Sequence, residues 1–308
     1  MSTLALGVGY AADLMLGDPR RGHPVACFGT LARTAERLLY RPSRLRGAAF
    51  ATSLVVIAAL AGELAARLGR AAGLGRSAAL AVFSWAALGG RSLRSEAAAI
   101  ADRLAAGDLV GAREALPALA GRDPESLDAA GVTRAVIESV AENTSDAVVG
   151  ALLWGSLAGA PGVAVFRAVN TLDAMVGHRS PRYADFGWAA ARLDDLMCWP
   201  AARIGALLSV LCAPAAGGSP GSAWRTLRRD GTAHPSPNAG RMEAAFAGAL
   251  GVRLGGQLSY DGRVEERAPL GDGRAPTVAD VARATRLSAF VGACALLLCT
   301  ALGGWRSR

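Results

Sequence analysis

Apolar residues occur in blocks separated by arginine-rich polar stretches. A bilayer-spanning helix needs about 20 apolar residues. Gly47–Ala66, Ser77–Gly90, Ala201–Gly217 and Leu287–Gly304 are the candidate spans, the second and third being short. Thr3–Leu16 carries Asp13 and reads as a short fifth span or an interfacial helix, with the span preferred. The block after Asp146 differs. Ala147–Ala158 gives only about 18 Å of helix, too short to cross. Gly159-Ala160-Pro161-Gly162 then breaks it, and a second apolar half-helix starts at Val163. Proline stops helices and glycine permits reversal. The pattern predicts a re-entrant helical hairpin over 147–170. Such a hairpin is tolerated at membrane depth only when buried in protein or lining a cavity.

Between these blocks, Ser92–Ala141 reads as a polar helical insert (92–141). Asp108 is placed to cap one helix, and Asp123-Pro124 to start the helix that carries Glu138 and Glu142. The stretch 215–284 is rich in Gly, Pro and Arg and reads as ordered loops with one helix, Met242–Leu250. The expected fold is all-α: a polytopic integral membrane protein with four to five transmembrane helices and the hairpin, in a single domain, 1–308.

Composition agrees. Of 308 residues, 52% are hydrophobic and 19% charged, and Gly and Ala are abundant, as in closely packed membrane helices. The net charge of +8 comes from arginine, because the chain has no lysine. A P-loop needs a lysine on the phosphates, so that route to nucleotide is excluded. The arginines are dispersed without an aromatic-interleaved patch. This disfavours nucleic acid and favours anionic lipid and phosphorylated substrates. Arg33, Arg37, Arg41, Arg44 and Arg46 crowd the entry to the first span and favour that side as cytoplasmic. The five cysteines form no CxxC pair and read as free thiols.

Two polar clusters flank the hairpin. In ESVAENTSD, Glu138, Glu142 and Asp146 fall at i, i+4 and i+8, on one helical face. In RAVNTLD, Arg167, Asn170 and Asp173 fall at i, i+3 and i+6. Stacked like charges destabilise a helix, more so near its C-terminal end. A cation that compensates them, beside an anionic substrate, accounts for both clusters. Other motifs are weaker. Arg20 and His23 lie in GDPRRGHP, which reads equally as a phosphate loop or a juxtamembrane turn. His23, His178 and His234 have no zinc-ligand spacing. Asp194 and Asp195 could hold Mg²⁺, although a helix start paired with Arg192 or Arg203 is the simpler reading. HPSPNAG, with His234 and Asn238, is a rigid loop that reads either as a binding loop or as a simple connection.

Together these stretches resemble a known family. ADLMLGDPRRGHPV, VIESVAENTSDAVVGALLW, FRAVNTLDAMVGHRSPRYADFGWAAARLDDL and HPSPNAGRMEAAFAGALGVRLGGQLSY followed by LGDGR resemble the CobD/CbiB family, the adenosylcobinamide-phosphate synthases of cobalamin biosynthesis. The resemblance spans nearly the whole chain. It implies a multi-pass enzyme of the inner (cytoplasmic) membrane that joins adenosylcobyric acid to aminopropanol phosphate, or aminopropanol, with ATP. Other corrin-pathway enzymes are candidate partners. Within that reaction, Glu142, Asp146 and Asp173 are the expected Mg²⁺ ligands, with Glu138 behind them. Arg167, Arg179 and Arg182 are expected on phosphate oxygens, and Asn143 and Asn170 to orient ligands. Asp194 or Asp195 is the expected general base. Arg20, His23, His178, His234 and Asn238 are further binding candidates. The rival readings are a transporter with a broken-helix site, disfavoured by the lack of an internal repeat, and a non-catalytic membrane scaffold.

Overall fold

The computed structural model describes residues 2–19, 22–120, 124–178, 180–260 and 263–306. The fold is all-α apart from one two-stranded sheet. Where the sequence suggests a single domain, the chain sorts into two compact units. The first comprises Met1–Gly89, Asp146–Pro200 and Leu296–Arg308; the second comprises Gly90–Ser145 and Ala201–Ala295.

The first unit contains α1 (Ser2–Leu16), α2 (Pro24–Leu39), α3 (Arg44–Ala71), α4 (Gly75–Ala87) and α8 (Gly150–Leu172). α8 is two helices. Gly159 has φ 68° and ψ −153°, a conformation essentially reserved for glycine, and the chain reverses there. Residues on the two arms then meet in antiparallel order. A Cβ on Gly150 would collide with the Phe166 ring, and one on Gly155 would touch Val163. A continuous helix would hold Gly150 and Phe166 about 24 Å apart. The expected reversal is therefore present. Pro161 is tolerated because the second arm restarts beside it, where its missing N–H has no partner to lose.

Small residues let helix backbones touch the hairpin. A Cβ on Gly62 of α3 would lie 2.7 Å from the Pro161 Cα, and Leu6 of α1 packs over Gly155. Gly9 similarly seats α1 against Ala81 and Ser84 of α4. On α3, Phe50, Leu54, Ala58, Gly62 and Ala66 form the buried stripe. The other face carries Ile57, Leu60, Leu64 and Leu68, all exposed and apolar. A face of that kind suits lipid.

The second unit contains α5 (Gly90–Ala105), α6 (Leu109–Ala115), α7 (Ala129–Thr144), α10 (Pro220–Asp230), α11 (Ala239–Leu250) and the antiparallel pair β1 (Leu254–Tyr260) and β2 (Arg263–Leu270). Two further helices run from one unit into the other: α9 (Trp188–Leu211) and α12 (Val278–Arg306). Asp280 is buried and accepts from Arg274, Arg283 and Thr277. Asp230 accepts twice from Arg229, at 2.7 and 2.8 Å, and from the Gly271 N–H at 2.8 Å. The Arg229 guanidinium holds the Asp230 carboxyl below the usual carboxylate range.

Three stretches are long and apolar enough to cross a membrane: Arg44–Ala71, Ala129–Gly177 and Val278–Gly303. The first and third contain the expected spans Gly47–Ala66 and, nearly complete, Leu287–Gly304. The second is the stretch interrupted at Gly159. The remaining expected spans are not among these three. Ser77–Gly90 falls on α4, 13 residues long. Ala201–Gly217 covers the end of α9 and a 3₁₀ turn. Thr3–Leu16 is a shorter apolar helix. The stretch 215–284 is more regular than expected, because its glycines and prolines punctuate α10, α11 and the β-pair rather than prevent them. Asp108 caps α6, accepting from the Gly111 N–H. α7 starts at Ala129 with Asp128 as its cap, not at Pro124, and Asp123 lies outside the described residues.

Cysteines at 146 and 173, in a chain whose native cysteines are replaced, should be labelled from the same membrane face; labelling from opposite faces contradicts the hairpin. Gly62→Val should lower stability by about 1–3 kcal/mol through overpacking, read as thermal unfolding in detergent. Because the Asp230 pKa is lowered, its contribution is complete above the ordinary carboxylate pKa and is lost as pH falls through the lower folded value. The stability of Asp230→Asn should therefore differ least from that of the parent at the lowest pH, read as urea unfolding across an acid series.

Candidate functional site

The reversal at Gly159 returns the chain to where it entered. Asp146 lies in a π-helical turn, Ser145–Val149, that leads into the outgoing arm. Arg167 and Asn170 lie on the returning arm, and a second π-turn, Asp173–Gly177, follows it. π-turns shift side chains out of the i, i+4 register and are frequent at functional sites. The even i, i+4 spacing of the acidic stripe is therefore interrupted between Glu142 and Asp146.

Arg167 lies within electrostatic reach of Asp18 and Asp146. Its Nη1 donates to the Asn170 Oδ1 at 3.2 Å, while its buried Nε has no hydrogen-bond partner. The Asn170 amide donates in turn to the Asp194 Oδ1 at 3.4 Å. The Cys198 thiol lies 3.5 Å from the same oxygen. Burial, then the Asp146 and Asp194 carboxylates, push that thiol far above its usual range. In that geometry the Cys198 S–H donates to Asp194. Arg167, Asn170, Asp194 and Cys198 form one hydrogen-bonded chain within the first unit, with Asp18 and Asp146 in electrostatic range of Arg167. Asp18 and Cys198 are additions to the residues that the sequence singles out. Asp18 sits in the same motif as Arg20 and His23, and its only sequence signal is a turn before a proline. Cys198 offers none beyond its spacing four residues after Asp194.

The other expected residues take varied places. The Asp173 carboxylate closes over Gly177, where a Cβ would collide with it. Asp195 lies 3.8 Å from Arg192, the pairing the simpler reading favours. His23 caps α2, its Nδ1 accepting from the Val25 N–H at 3.1 Å, with Asp18 3.6 Å from its Nε2. Arg182 donates to Glu36 and lies 4.1 Å above the Tyr40 ring. Its guanidinium is thereby engaged in structure, and Glu36 holds its pKa above the ordinary value. His178 makes an edge contact with Tyr183. Arg20 and Arg179 lie outside the described residues.

Glu138, Glu142, Asn143, His234 and Asn238 belong to the second unit. Glu138 is buried and accepts from the Gly255 N–H at 2.7 Å, anchoring β1. Glu142 is exposed. The Asn143 amide donates to Ser139 on its own helix. His234 accepts from the Ser236 N–H, and Arg267 lies 2.7 Å from its other ring nitrogen. Asn238 accepts from Arg203 at 2.8 Å. Among the described residues, no group of three or more His, Cys, Asp or Glu side chains is arranged to hold a metal.

Known proteins give this geometry a context. The profile of the family described as CobD/Cbib protein matches residues 6–288. A cobalamin biosynthesis protein CobD of Mycobacterium tuberculosis is 52% identical over 305 residues, covering 97% of this chain and 96% of the relative. The CobD protein of Chromobacterium violaceum is 44% identical over 295 residues, covering 93% and 92%. One from Rhodobacter capsulatus is 42% identical over 300 residues, covering 93% and 91%. No solved structure matches the chain. With a family profile over most of its length and relatives this similar, the chain belongs to the CobD/CbiB family.

Proposed function

We propose that this protein acts in cobalamin biosynthesis as an ATP-dependent ligase of the inner membrane, joining adenosylcobyric acid to aminopropanol phosphate, or aminopropanol, through an amide. Family membership supports the pathway. The exposed apolar face of α3 supports the membrane. The observation that carries the chemistry is the hydrogen-bonded run from Arg167 through Asn170 to Asp194, with Asp18 and Asp146 in electrostatic range of Arg167.

A carboxylate is a poor acyl donor, so the acid must first be activated. In the proposed sequence a corrinoid carboxylate oxygen takes the γ-phosphoryl group of ATP, releasing ADP. The amine then attacks the acyl carbon, and inorganic phosphate leaves with the former carboxylate oxygen. Phosphoryl transfer depends on positioning and charge neutralisation. Arg167 suits an anion in this role, because its fork binds oxygens in pairs and its buried Nε lacks an acceptor. Asn170 links the Arg167 fork on one side to Asp194 on the other. Asp194, rather than the ion-paired Asp195, is the base that takes a proton from the attacking ammonium.

Magnesium fits this cluster only as an ion carried on the nucleotide. Mg²⁺ commonly takes one or two carboxylates and fills its other positions with phosphate oxygens and water. Asp146 is the residue that would hold it, and the chemistry it supplies is neutralisation of the transferring phosphoryl group. No all-protein cage is required.

The test is purified protein with adenosylcobyric acid, ATP, Mg²⁺ and aminopropanol phosphate, read as corrinoid mass and ADP release. Arg167→Gln and Asp146→Asn should each lower kcat by about 10²–10³-fold, as when one preorganised charge-stabilising contact is removed. Asp194→Asn should lower kcat by about 10²–10⁴-fold. Near-normal turnover in Arg167→Gln, or no new corrinoid from the parent protein, would overturn the reading.

A further inference from the structure

The second unit contains arginines that the proposed chemistry does not use. Several of them are neutralised. Arg229 pairs with Asp230 and Asp272, and Arg274 and Arg283 share Asp280. Arg228 and Arg241 differ, since neither has a carboxylate partner among the described residues. The Arg241 Nε is buried without a hydrogen-bond partner. Burial, and then the nearby Arg241, disfavour the charge on Arg203. Asn238, itself buried before α11, nevertheless holds the Arg203 guanidinium in place at 2.8 Å. Two mutually repelling guanidiniums on a fixed scaffold call for an anion between them.

These three arginines line one cavity of about 360 Å³, together with Ala206, Leu207, Leu227, Trp224 and Thr232. A second cavity of about 650 Å³ shares Trp224 and Arg228 and adds Arg225 and Arg229. Trp224 is 41% exposed, and the Arg228 guanidinium lies 5.8 Å from its ring centre. We propose that the second unit carries a phosphoryl-anion site formed by Arg203, Arg228 and Arg241, with Trp224 as the platform for the apolar or aromatic part of the same ligand. Either a soluble phosphate compound or a lipid headgroup could supply that chemistry. The site goes beyond the ligase reading, which guides only the choice of ATP as a probe. Binding is measured without corrinoid, so its failure is separable from failure of turnover.

Calorimetric titration of the full chain with pyrophosphate and with ATP, in neutral detergent, tests the soluble source. Nanodiscs of zwitterionic lipid, with and without anionic lipid, test the headgroup by retained anionic lipid. The probe is the double variant Arg228→Gln/Arg241→Gln, checked by its melting curve. Arg228→Gln alone, at an exposed position, serves if the double variant does not fold. The expected result is at least tenfold weaker pyrophosphate and ATP binding in the variant, with affinity in the parent falling as salt rises. Anionic lipid retained by the parent and lost in the variant, without soluble binding, supports the same site with a headgroup in it. Equal pyrophosphate, ATP and lipid binding in parent and variant, or none in either, overturns the proposal.

Discussion

The reversal at Gly159 is the constraint on which the first unit depends. Its φ of 68° with ψ of −153° is open to glycine and closed to other residues. Because the chain turns there, two half-helices pair through Gly150 and Gly155 instead of forming one rod. Gly62 lets α3 reach the turn itself. The helix that enters the turn is continuous from Ala129 through the π-turn, and the one that leaves it runs on to Gly177. α1, α3 and α4 pack against the two arms.

A second consequence is electrostatic. An arginine and several carboxylates far apart in sequence come within electrostatic range of one another in half-buried surroundings. Charges in such surroundings interact more strongly than at a surface, and leaving one unmatched is costly. Arg167 is matched in part by Asp18 and Asp146, and its buried Nε still lacks an acceptor. That combination suits a site awaiting an anion better than a closed structural ion pair. Asp280 shows the opposite condition. That carboxylate is fully supplied with donors from Arg274, Arg283 and Thr277, and its network has the character of a structural clamp.

The reversal is legible in the sequence because its signal is local: glycine and proline together inside an apolar stretch. The stripe of Glu138, Glu142 and Asp146 is legible as a pattern but not as an arrangement. Periodicity assumes an unbroken α-helix, and the π-turn at Ser145–Val149 breaks the register between Glu142 and Asp146. Glu138 serves β1, through a contact 117 residues distant in sequence that no spacing rule reveals. Arg182 has the sequence character of a phosphate ligand, yet in the fold Glu36 and Tyr40 occupy it. The stretch 215–284 reads as loops because Gly and Pro mark the ends of short elements as readily as they mark irregular chain. Asp18 joins the cluster through tertiary packing, and Cys198 through its place one turn after Asp194.

The central claim is that the hairpin makes Asp146 and Arg167 a single functional unit. A double-mutant cycle on kcat, using Asp146→Asn, Arg167→Gln and their combination, tests it most directly. The account predicts strong non-additivity, with the double variant little worse than the more damaged single variant. Strictly additive losses would show that the two residues act independently and would contradict it.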